Sequence, residues 1–300
     1  IPLNTLNNKS RKGIVLAGGT GSRLNPITSA VSKQLIPIYD KPMIYYPLST
    51  LLLSGIKEIL IICTPLYLDA FKRIQHDGSQ WGIKIEYEVQ EKPDGIAQSL
   101  LIGENFLDGA PMCLILGDNL FYGDDLSFKL RQADKVTEGG TIFAYQVSDP
   151  QRYGIIDFDS NYNVKKISEK PKSPKSNYAI TGIYYYSNSV IDLAKNLKPS
   201  KRGELEITDI NKSLLKLNKL KVQILRRGMA WLDTGTFDSL QEASSFIKTI
   251  EKRQGLKIGC PEEIAWKLNY INDIQLEEIA KKYISSTYGL YLMKLLENNK

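Results

Sequence analysis

Short apolar runs alternate with amphipathic segments along the first part of the chain. Apolar runs of five or six residues have the length of buried strands, and the segments between them carry helical spacing. This alternation, with short connections, predicts a mostly parallel sheet with helices on both faces. The predicted elements are strand 13–17, helix 43–54, strand 58–63, helix 66–75, strand 84–89, helix 95–106 and strand 112–116.

The pattern changes after residue 140. Strand-like segments now follow one another with little helix between them, and helical spacing dominates the remainder of the chain. Together the two parts predict an α/β fold with a mixed sheet and a C-terminal helical appendage. The predicted elements are strands 141–147, 153–158, 164–168 and 178–186, and helices 206–217, 236–252, 262–269, 274–283 and 287–297.

The overall composition is that of a soluble globular protein. Hydrophobic residues make up 42% of the chain and charged residues 24%. No apolar run has the length of a membrane-spanning helix, and the N-terminal residues lack the apolar stretch of a signal peptide. We therefore expect a cytoplasmic protein with no membrane partner.

The cysteine and histidine content narrows the possible chemistry. Three widely spaced cysteines favour a reducing compartment over a disulfide framework, and Cys63 and Cys113 lie in apolar runs typical of buried cysteines. The single histidine, His76, leaves no ready zinc site or Ser-His-Asp triad. Any metal must then be held by carboxylates and ligand phosphates, which indicates a hard cation such as Mg²⁺.

The charge of the chain is small and dispersed. Lysine and arginine number 39 against 33 aspartate and glutamate residues, a net charge of +6. The sequence contains no basic block or aromatic–basic array of the kind that nucleic-acid-binding proteins carry. We expect no nucleic-acid partner, and the composition favours a small anionic substrate.

A glycine-rich segment, residues 16–24, directly follows the first predicted strand. Glycines there let backbone N–H groups approach phosphates, and open α/β sheets bind ligands at this edge. The segment is not a dinucleotide fingerprint, since Leu24 occupies the third glycine position, and no Gly-Lys-Ser/Thr follows to make a Walker A loop. A purely structural turn is the alternative. Arg23 favours phosphate binding, because its guanidinium can hold a diphosphate through two hydrogen bonds.

Charged residues follow several of the other predicted strands. Lys33, in a segment between two prolines, is either a solvated charge or a second cation for a leaving pyrophosphate. Asp118 is well placed to hold Mg²⁺ over the sheet edge, unless it caps the helix predicted after Gly123. Asp233 supplies a second carboxylate from a distant segment, which is a common arrangement in phosphoryl transfer.

The dipeptide Glu169-Lys170 also follows a predicted strand. Lys170 is suited to binding a sugar phosphate and Glu169 to binding sugar hydroxyls, whereas the alternative is a salt bridge at the strand end. The sequence Lys170-Pro171-Lys172 is too short to form a basic patch of its own.

These residues belong to a larger set of motifs in a fixed order along the chain. The motifs are Gly18-Gly19-Thr20-Gly21-Ser22-Arg23-Leu24, Ser32-Lys33-Gln34, Tyr39-Asp40-Lys41-Pro42-Met43-Ile44-Tyr45-Tyr46-Pro47, Gly117-Asp118-Asn119, Asp149-Pro150-x-Arg152-Tyr153-Gly154, Glu169-Lys170-Pro171-Lys172-x-Pro174-Lys175-Ser176-Asn177-Tyr178-Ala179, Arg202-Gly203-Glu204-Leu205-Glu206-Ile207-Thr208-Asp209 and Trp231-Leu232-Asp233-Thr234-Gly235-Thr236. The set resembles the bacterial glucose-1-phosphate thymidylyltransferases, members of the sugar nucleotidyltransferase family. The resemblance spans about residues 11–296, and the ordered combination is highly specific.

The resemblance implies a fold, an activity and an assembly. The fold is Rossmann-like, and the activity is Mg²⁺-dependent transfer of a thymidylyl group from dTTP to α-D-glucose 1-phosphate, giving dTDP-glucose and pyrophosphate for dTDP-rhamnose synthesis. The implied assembly is a homotetramer, a dimer of dimers. We expect a disordered extension at residues 1–10 and one domain at 11–300, comprising a nucleotide-binding part (11–140), a sugar-phosphate-binding part (141–235) and C-terminal helices (236–300).

The resemblance also assigns roles to individual residues. Arg23, Lys33 and Lys170 would be the catalytic cations, Gln90 and Gly95 would recognise the thymine edge, and the metal ligands would be Asp118 and Asp233. The implied nucleotide-binding residues are Leu16, Gly18, Gly19, Gly21, Ser22, Arg23, Lys33, Gln34, Gln90 and Gly95. The implied sugar-phosphate-binding residues are Asn119, Gly154, Glu169, Lys170, Ile180 and Tyr184.

The chain departs from the family at a few positions. Ser22 replaces a usual threonine, Glu91-Lys92 stands where Pro-Ser is frequent, and Asp124 replaces a common histidine. The last position belongs, by resemblance, to an accessory regulatory nucleotide site at a subunit interface.

Three other functions are alternatives to thymidylyl transfer. Uridylyl or cytidylyl transfer to another sugar phosphate is the nearest alternative. A nicotinamide oxidoreductase would carry the glycine fingerprint that is missing here. An inactive nucleotide-sugar sensor would have lost one of the four charged site residues, all of which are present: Arg23, Lys33, Asp118 and Asp233.

Overall fold

The computed structural model describes residues 9–298, so most of the extension predicted at residues 1–10 lies outside the described residues. Its main feature is a nine-stranded mixed sheet, with two small two-stranded sheets beside it. The strands are β1 (Lys12–Ala17), β2 (Pro37–Ile38), β3 (Lys41–Pro42), β4 (Glu58–Cys63), β5 (Lys84–Val89), β6 (Met112–Leu116), β7 (Asn119–Tyr122), β8 (Gly140–Gln146), β9 (Gly154–Phe158), β10 (Val164–Glu169), β11 (Tyr178–Tyr186), β12 (Leu220–Leu225) and β13 (Ala230–Asp233).

Helices cover the sheet and form the C-terminal part of the chain. They are α1 (Tyr45–Leu53), α2 (Leu68–Gln75), α3 (Gln98–Ile102), α4 (Glu104–Leu107), α5 (Leu126–Asp134), α6 (Val190–Lys195), α7 (Ile207–Lys216), α8 (Phe237–Gln254), α9 (Pro261–Lys267), α10 (Asp273–Lys282) and α11 (Thr287–Asn298). None of those in the described part of the chain combines the length and apolar character needed to cross a bilayer.

The order of the strands confirms the predicted fold class. The main path through the sheet is β10-β9-β11-β6-β1-β4-β5, with β8 paired to β11 and β12. The half made of β6, β1, β4 and β5 is parallel, and β11 joins it antiparallel to β6. The parallel half comes from the alternating strands and helices of the first part of the chain, and the antiparallel half comes from the strand-rich middle.

Successive residues of the central strands face two separate cores. On β1, Ile14 packs into the cluster that contains α6 and α7, whereas Val15 packs on the opposite face with α1. Leu60 and Ile61 divide in the same way on β4. Because both faces are buried, these strands read as continuous apolar runs rather than as alternating ones.

One predicted helix has different bounds in the structure and is divided in two. The single helix predicted at residues 95–106 is wrong: α3 begins at Gln98, and Gly103 separates it from α4. Gly95 has a φ of +109°, which is incompatible with a right-handed helix, so the chain enters the helical conformation only after it.

Several short elements have no clear signal in the sequence. Strands β7 and β13 pair with each other across more than a hundred residues, and each is only four residues long. Strand β12 completes the sheet beside β8, and α6 is a short helix that was not predicted, whereas α5 is the helix expected after Gly123. Short elements of this kind form because of tertiary packing rather than because of a local sequence pattern.

Candidate active site

The carboxyl ends of the parallel strands form one edge of the sheet. Leu16 on β1 pairs with Ile62 on β4 and with Leu116 on β6. Strand β5 ends level with β4, so Gln90 emerges at the same edge. The glycine-rich segment begins at this edge, and Asp118 lies at it just after β6. The edge therefore brings three of the predicted site segments together.

The glycine-rich segment approaches Gln90 closely. A Cβ on Gly18 would overlap the Oε1 atom of Gln90, so position 18 admits no side chain without displacement of that amide. Gly19 and Gly21 have φ values of +91° and +60°, and space beside Gly19 is open. Glycine adopts both backbone conformations without cost, and at Gly19 the open space leaves room for a ligand against the main chain.

Arg23 lies in the short 3-10 helix that follows these glycines and is exposed. Its Nη1 atom is 3.6 Å from the place where a Cβ on Gly235 would lie, so the first and last motifs of the chain meet here. Within residues 9–298 Arg23 makes no hydrogen bond or ion pair with another side chain or with the backbone. Its five donors are therefore available to an anion.

Lys33 and Asp118 form an ion pair. Lys33 begins a 3-10 helix, Lys33–Leu35, and its side chain is only 12% exposed. Burial of Asp118 works to raise the pKa of its carboxyl, but the charge and hydrogen bond of Lys33 outweigh burial and hold that pKa below its usual value. Asp118 is therefore a carboxylate at neutral pH.

Asp233 ends β13 opposite Asn119, the first residue of β7. Arg152 Nη2 donates to Asp233 Oδ2 at 2.8 Å, and the Tyr153 hydroxyl donates to Oδ1 at 3.0 Å. The β7–β13 pairing brings Asp118 and Asp233 to one place, because Asp118 immediately precedes β7. Asp118 and Asp233 thus each form an ion pair with a basic side chain, Lys33 and Arg152 respectively.

Asn119, predicted to bind sugar phosphate, makes its contacts within the protein. Its Oδ1 accepts from the Gly182 amide at 3.0 Å and from Trp231 Nε1 at 2.6 Å. Its Nδ2 donates to Asp118 Oδ1 at 2.9 Å. The residue lies at the cavity but is buried, and its contacts orient the Asp118 carboxylate.

A cavity of about 420 Å³ opens in front of the two carboxylates. It is lined by both predicted metal ligands, by Arg23 and by all the predicted sugar-phosphate residues; these are Arg23, Asp118, Asn119, Gly154, Glu169, Lys170, Ile180, Tyr184 and Asp233. The first and second parts of the chain thus contribute to one concave, charged site.

The Glu169-Lys170 pair lies on one wall of this cavity. Glu169 accepts a hydrogen bond from Thr208, and the distance from its Oε1 to Lys170 Nζ is 3.9 Å, long for an ion pair. Lys170 has a φ of +38°, an uncommon conformation for a residue other than glycine, and its amide donates to the Tyr153 carbonyl at 3.1 Å. This bend at the end of β10 sets Lys170 at the wall of the cavity.

The predicted base-recognition residues lie to one side of this cavity. Gln90 is buried, and its Nε2 donates to Gln98 Oε1 at 2.6 Å and weakly to the Gly95 carbonyl at 3.5 Å. Gln34 accepts from Ser32 at 2.8 Å and lies near the Gly18 carbonyl. Among the described residues predicted to bind nucleotide, Arg23 is the one that also lines the cavity. Leu16 is partly buried and Ser22 exposed.

Several cavity residues were not given roles from sequence. Arg152 and Tyr153 hold Asp233, and Arg202 donates to Glu206 at 2.8 Å. They stand in the motifs that carry the family resemblance, which was the available signal. The others that line the cavity without an assigned role are Ile96, Leu116, Gly182, Glu204, Ile207, Thr208 and Trp231.

Two of the sequence expectations need correction. Asp118 does not cap a helix: it lies in the turn between β6 and β7, and α5 begins only at Leu126. Gly95 does not open a helix, because its positive φ keeps it in the loop before α3.

The donor set of the site fits a magnesium ion. Asp118 and Asp233 supply hard carboxylate oxygens in one cavity, and Mg²⁺ is often bound through one or two carboxylates with the phosphates of a ligand completing its shell. Within residues 9–298 there is no cluster of three or more His, Cys, Asp or Glu side chains arranged for a metal. Lys33 and Arg152 now pair with these two carboxylates. If the carboxylates held Mg²⁺ instead, the phosphates of a bound triphosphate would be available as anionic partners for both side chains.

The sequence is similar to characterised protein families. Residues 12–250 match the family described as Nucleotidyl transferase. The chain is 54% identical over 286 residues to the glucose-1-phosphate thymidylyltransferase of Neisseria meningitidis serogroup A, covering 95% of this chain and 99% of that protein. It is 55% identical over 285 residues to the enzyme of the same name from Xanthomonas campestris pv. campestris, covering 95% and 97%.

The fold is similar to solved structures. A crystal structure of a Bacillus anthracis protein assigned as a glucose-1-phosphate thymidylyltransferase, in complex with a sucrose, has a TM-score of 0.74 and 41% identity, covering 79% of this chain and 95% of that one. A UDP-glucose pyrophosphorylase complexed with UDP-glucose has a TM-score of 0.71 at 23% identity, covering 81% and 100%, and shows the fold alone.

Proposed function

The chain belongs to the nucleotidyl transferase family and, within it, to the glucose-1-phosphate thymidylyltransferases, and on that premise we propose that it transfers a thymidylyl group from dTTP to α-D-glucose 1-phosphate. The products are dTDP-glucose and pyrophosphate. One observation carries this proposal: Asp118 and Asp233, from segments over a hundred residues apart, meet in a cavity that also contains Arg23 and Lys170.

The reaction is an in-line displacement at the α-phosphorus of dTTP. A phosphate oxygen of glucose 1-phosphate forms the new O–P bond, and the bond from the α-phosphorus to the bridging oxygen of the β-phosphate breaks, releasing pyrophosphate. A phosphate monoester is largely dianionic near neutral pH, so the nucleophile needs no general base. This chemistry suits a chain whose single histidine, His76, lies outside every site segment.

Catalysis then depends on positioning and on neutralising charge. Arg23 is unpaired among the described residues and is suited to the leaving diphosphate, and Lys33 adjoins the same glycine-rich segment, with its Cβ 3.5 Å from the place of a Cβ on Gly21. Lys170, which lines the same cavity beside Glu169, is suited to the phosphate of the sugar. Asp118 and Asp233 would hold Mg²⁺, which supplies charge stabilisation to the phosphates when bound.

We further propose the properties that family membership implies but that residues 9–298 of one chain do not test. These are a cytoplasmic homotetramer acting in dTDP-rhamnose synthesis, with a nucleotide-binding part (11–140), a sugar-phosphate-binding part (141–235) and C-terminal helices (236–300). Light scattering of the purified full chain would measure the assembly directly.

Pyrophosphate release over a grid of nucleoside triphosphates and sugar 1-phosphates tests the proposed function. We expect dTTP with glucose 1-phosphate to give the highest kcat/KM, UTP to be used less well, and CTP, ATP and GTP to be poor. Equal rates with CTP and dTTP would contradict recognition of the thymine edge by an amide. No release with any nucleotide would contradict the transferase assignment itself.

Replacement of Gln90 by leucine should weaken use of dTTP while sparing affinity for glucose 1-phosphate. Gln90 is buried beside the glycine-rich segment, and its amide both donates and accepts, as the imide edge of thymine requires. An unpaired buried polar group costs about 1–3 kcal/mol, so we expect kcat/KM for dTTP to fall roughly 5- to 150-fold. Gln80→Leu is a control, because Gln80 lies in the 3-10 helix Ser79–Trp81 before β5, whereas Gln90 follows the carboxyl end of that strand. A parallel loss in both variants would assign the effect to stability.

Arg23→Lys should impair turnover substantially although it keeps the positive charge. The planar guanidinium can make two parallel hydrogen bonds to a diphosphate, whereas an ammonium group acts as a single point charge. Steady-state rates at saturating glucose 1-phosphate and varied dTTP would measure kcat and KM. If the lysine variant matched the parent in both constants, bidentate binding by Arg23 would be wrong.

A further inference from the structure

Two loops that belong to different halves of the site are hydrogen-bonded through their backbones. One loop, which we call the base loop, is residues 94–97; the other, the sugar loop, is residues 202–206. The Leu205 amide donates to the Asp94 carbonyl at 2.7 Å, and the Ala97 amide donates to the Leu205 carbonyl at 3.1 Å. Both polar backbone atoms of Leu205 are thus satisfied by the base loop.

Gly95 allows this close contact. A Cβ on Gly95 would lie 2.5 Å from the Leu205 amide nitrogen and would overlap its carbonyl oxygen. These are backbone atoms, which cannot swing away as the end of a flexible side chain can. The φ of +109° at Gly95 is also one that other residues rarely adopt. Any side chain at position 95 must therefore push the two loops apart.

Each loop is attached to its own half of the site. In the base loop, the Gly95 carbonyl is the weak acceptor for Gln90 at 3.5 Å, and Ile96 reaches the cavity. In the sugar loop, Arg202 donates to Glu206 Oε1 at 2.8 Å and lies 3.4 Å from Glu169 Oε1. A shift of either loop is therefore transmitted to groups that face the other substrate.

We propose that the Gly95–Leu205 contact is a positioning element that couples the nucleotide site to the sugar-phosphate site. Gly95 is then a positioning residue for sugar-phosphate binding, through Leu205, although it lies on the nucleotide side. The inference rests on the proposed function for which substrate each loop faces. It requires that a change confined to the base loop weakens use of the sugar phosphate.

Gly95→Ala tests the coupling through the KM for glucose 1-phosphate at saturating dTTP. We expect that KM to rise about fivefold or more, the lower range of coupling between two sites. Gly109→Ala is the matched control, because Gly109 has a φ of +79° and no atoms within 4 Å of an added Cβ. It introduces comparable backbone strain away from the cavity, so its KM should stay at the parent value. A Gly95→Ala variant with an altered KM for dTTP alone would overturn the proposal.

Hydrogen exchange of the unmodified protein gives a second readout that does not depend on the folding of a variant. Adding dTTP and Mg²⁺ without sugar phosphate should slow exchange in the peptide containing Leu205, at least as much as in neighbouring peptides of α7. Protection at residues 18–24 with no change at Leu205 would show that nucleotide binds without coupling, and would refute the inference alone. Absence of protection at residues 18–24 would refute the assigned nucleotide site, and the inference with it.

Discussion

Replacing Asp118 or Asp233 with asparagine should lower kcat by about 10²–10³-fold, the usual loss on removal of one transition-state electrostatic contact. Both carboxylates line one cavity, and each is held in place by a defined partner: Lys33 for Asp118 and Arg152 for Asp233. The asparagine side chain has the same shape but lacks the charge that a divalent cation requires. The measurement is kcat at saturating substrates over a range of Mg²⁺ concentrations.

Asp149→Asn supplies the control for the loss of an arginine partner. Asp149 Oδ2 accepts from Arg152 Nη1 at 2.8 Å, so this variant also removes a carboxylate from Arg152, but Asp149 does not line the cavity. We expect its kcat to stay within a few-fold of the parent, as is typical for a partly exposed ion pair. Full activity of the Asp118 or Asp233 variant would remove that residue from the catalytic site. An equal loss in the Asp149 and Asp233 variants would assign the effect of the Asp233 variant to the loss of a partner of Arg152.

The sequence predicted those features that depend on local pattern. The strands at Glu58–Cys63, Lys84–Val89 and Met112–Leu116 have the predicted boundaries. The first and third are buried parallel strands and read as nearly unbroken apolar runs, whereas Lys84–Val89 ends the strand order and alternates polar with apolar residues. The position of the glycine-rich segment and of Asp118 at one sheet edge then follows from the parallel order. That is why residues from distant segments were predicted to meet before any contact was known.

The partners of the carboxylates could not be predicted in the same way. Arg152 and Tyr153 reach Asp233 across about eighty residues of sequence, and the short strands β7 and β13 that align Asp118 with Asp233 carry no pattern of their own. Asn119 was expected to contact a ligand, yet its side-chain contacts are to Gly182, Trp231 and Asp118. Local sequence shows which residues have useful chemistry, whereas tertiary pairing decides which atoms they contact.

A group of four charges, two buried and two partly buried, connects the segment after Lys33 to the C-terminal part of the chain. The members of this group are Asp40, Lys41, Glu251 and Lys257. Lys41 Nζ is 2.6 Å from Asp40 Oδ1 and 2.9 Å from Glu251 Oε1, and Lys257 pairs with the same two carboxylates. The Lys41 side chain is 1% exposed and that of Glu251 5%. The charges balance, but each one depends on the others for its partners.

Lys41→Met should lower the free energy of unfolding by about 3–5 kcal/mol, since it leaves the buried Glu251 and the partly buried Asp40 to share Lys257. Burial works to raise the pKa of Asp40, but Lys41 and Lys257 outweigh it and the pKa is lowered. A lowered folded-state pKa means that this stabilisation is present at neutral pH and is lost as the pH falls through the pKa of Asp40 in the folded protein. Denaturant unfolding at several pH values would measure both effects, with the difference between parent and variant shrinking in acid.

The double variant Lys41→Met/Glu251→Gln distinguishes charge imbalance from lost packing. It restores one cation to one carboxylate, Lys257 with Asp40, while the glutamine Oε1 can still accept from the Ile258 amide that Glu251 binds at 2.9 Å. We therefore expect the double variant to be more stable than Lys41→Met alone, a non-additivity that a double-mutant cycle measures. If the two single losses simply added, the four charges would not act as a group. The destabilisation by Lys41→Met would then come from the lost contact between the lysine ammonium and Tyr46, over whose ring its Nζ lies at 5.1 Å.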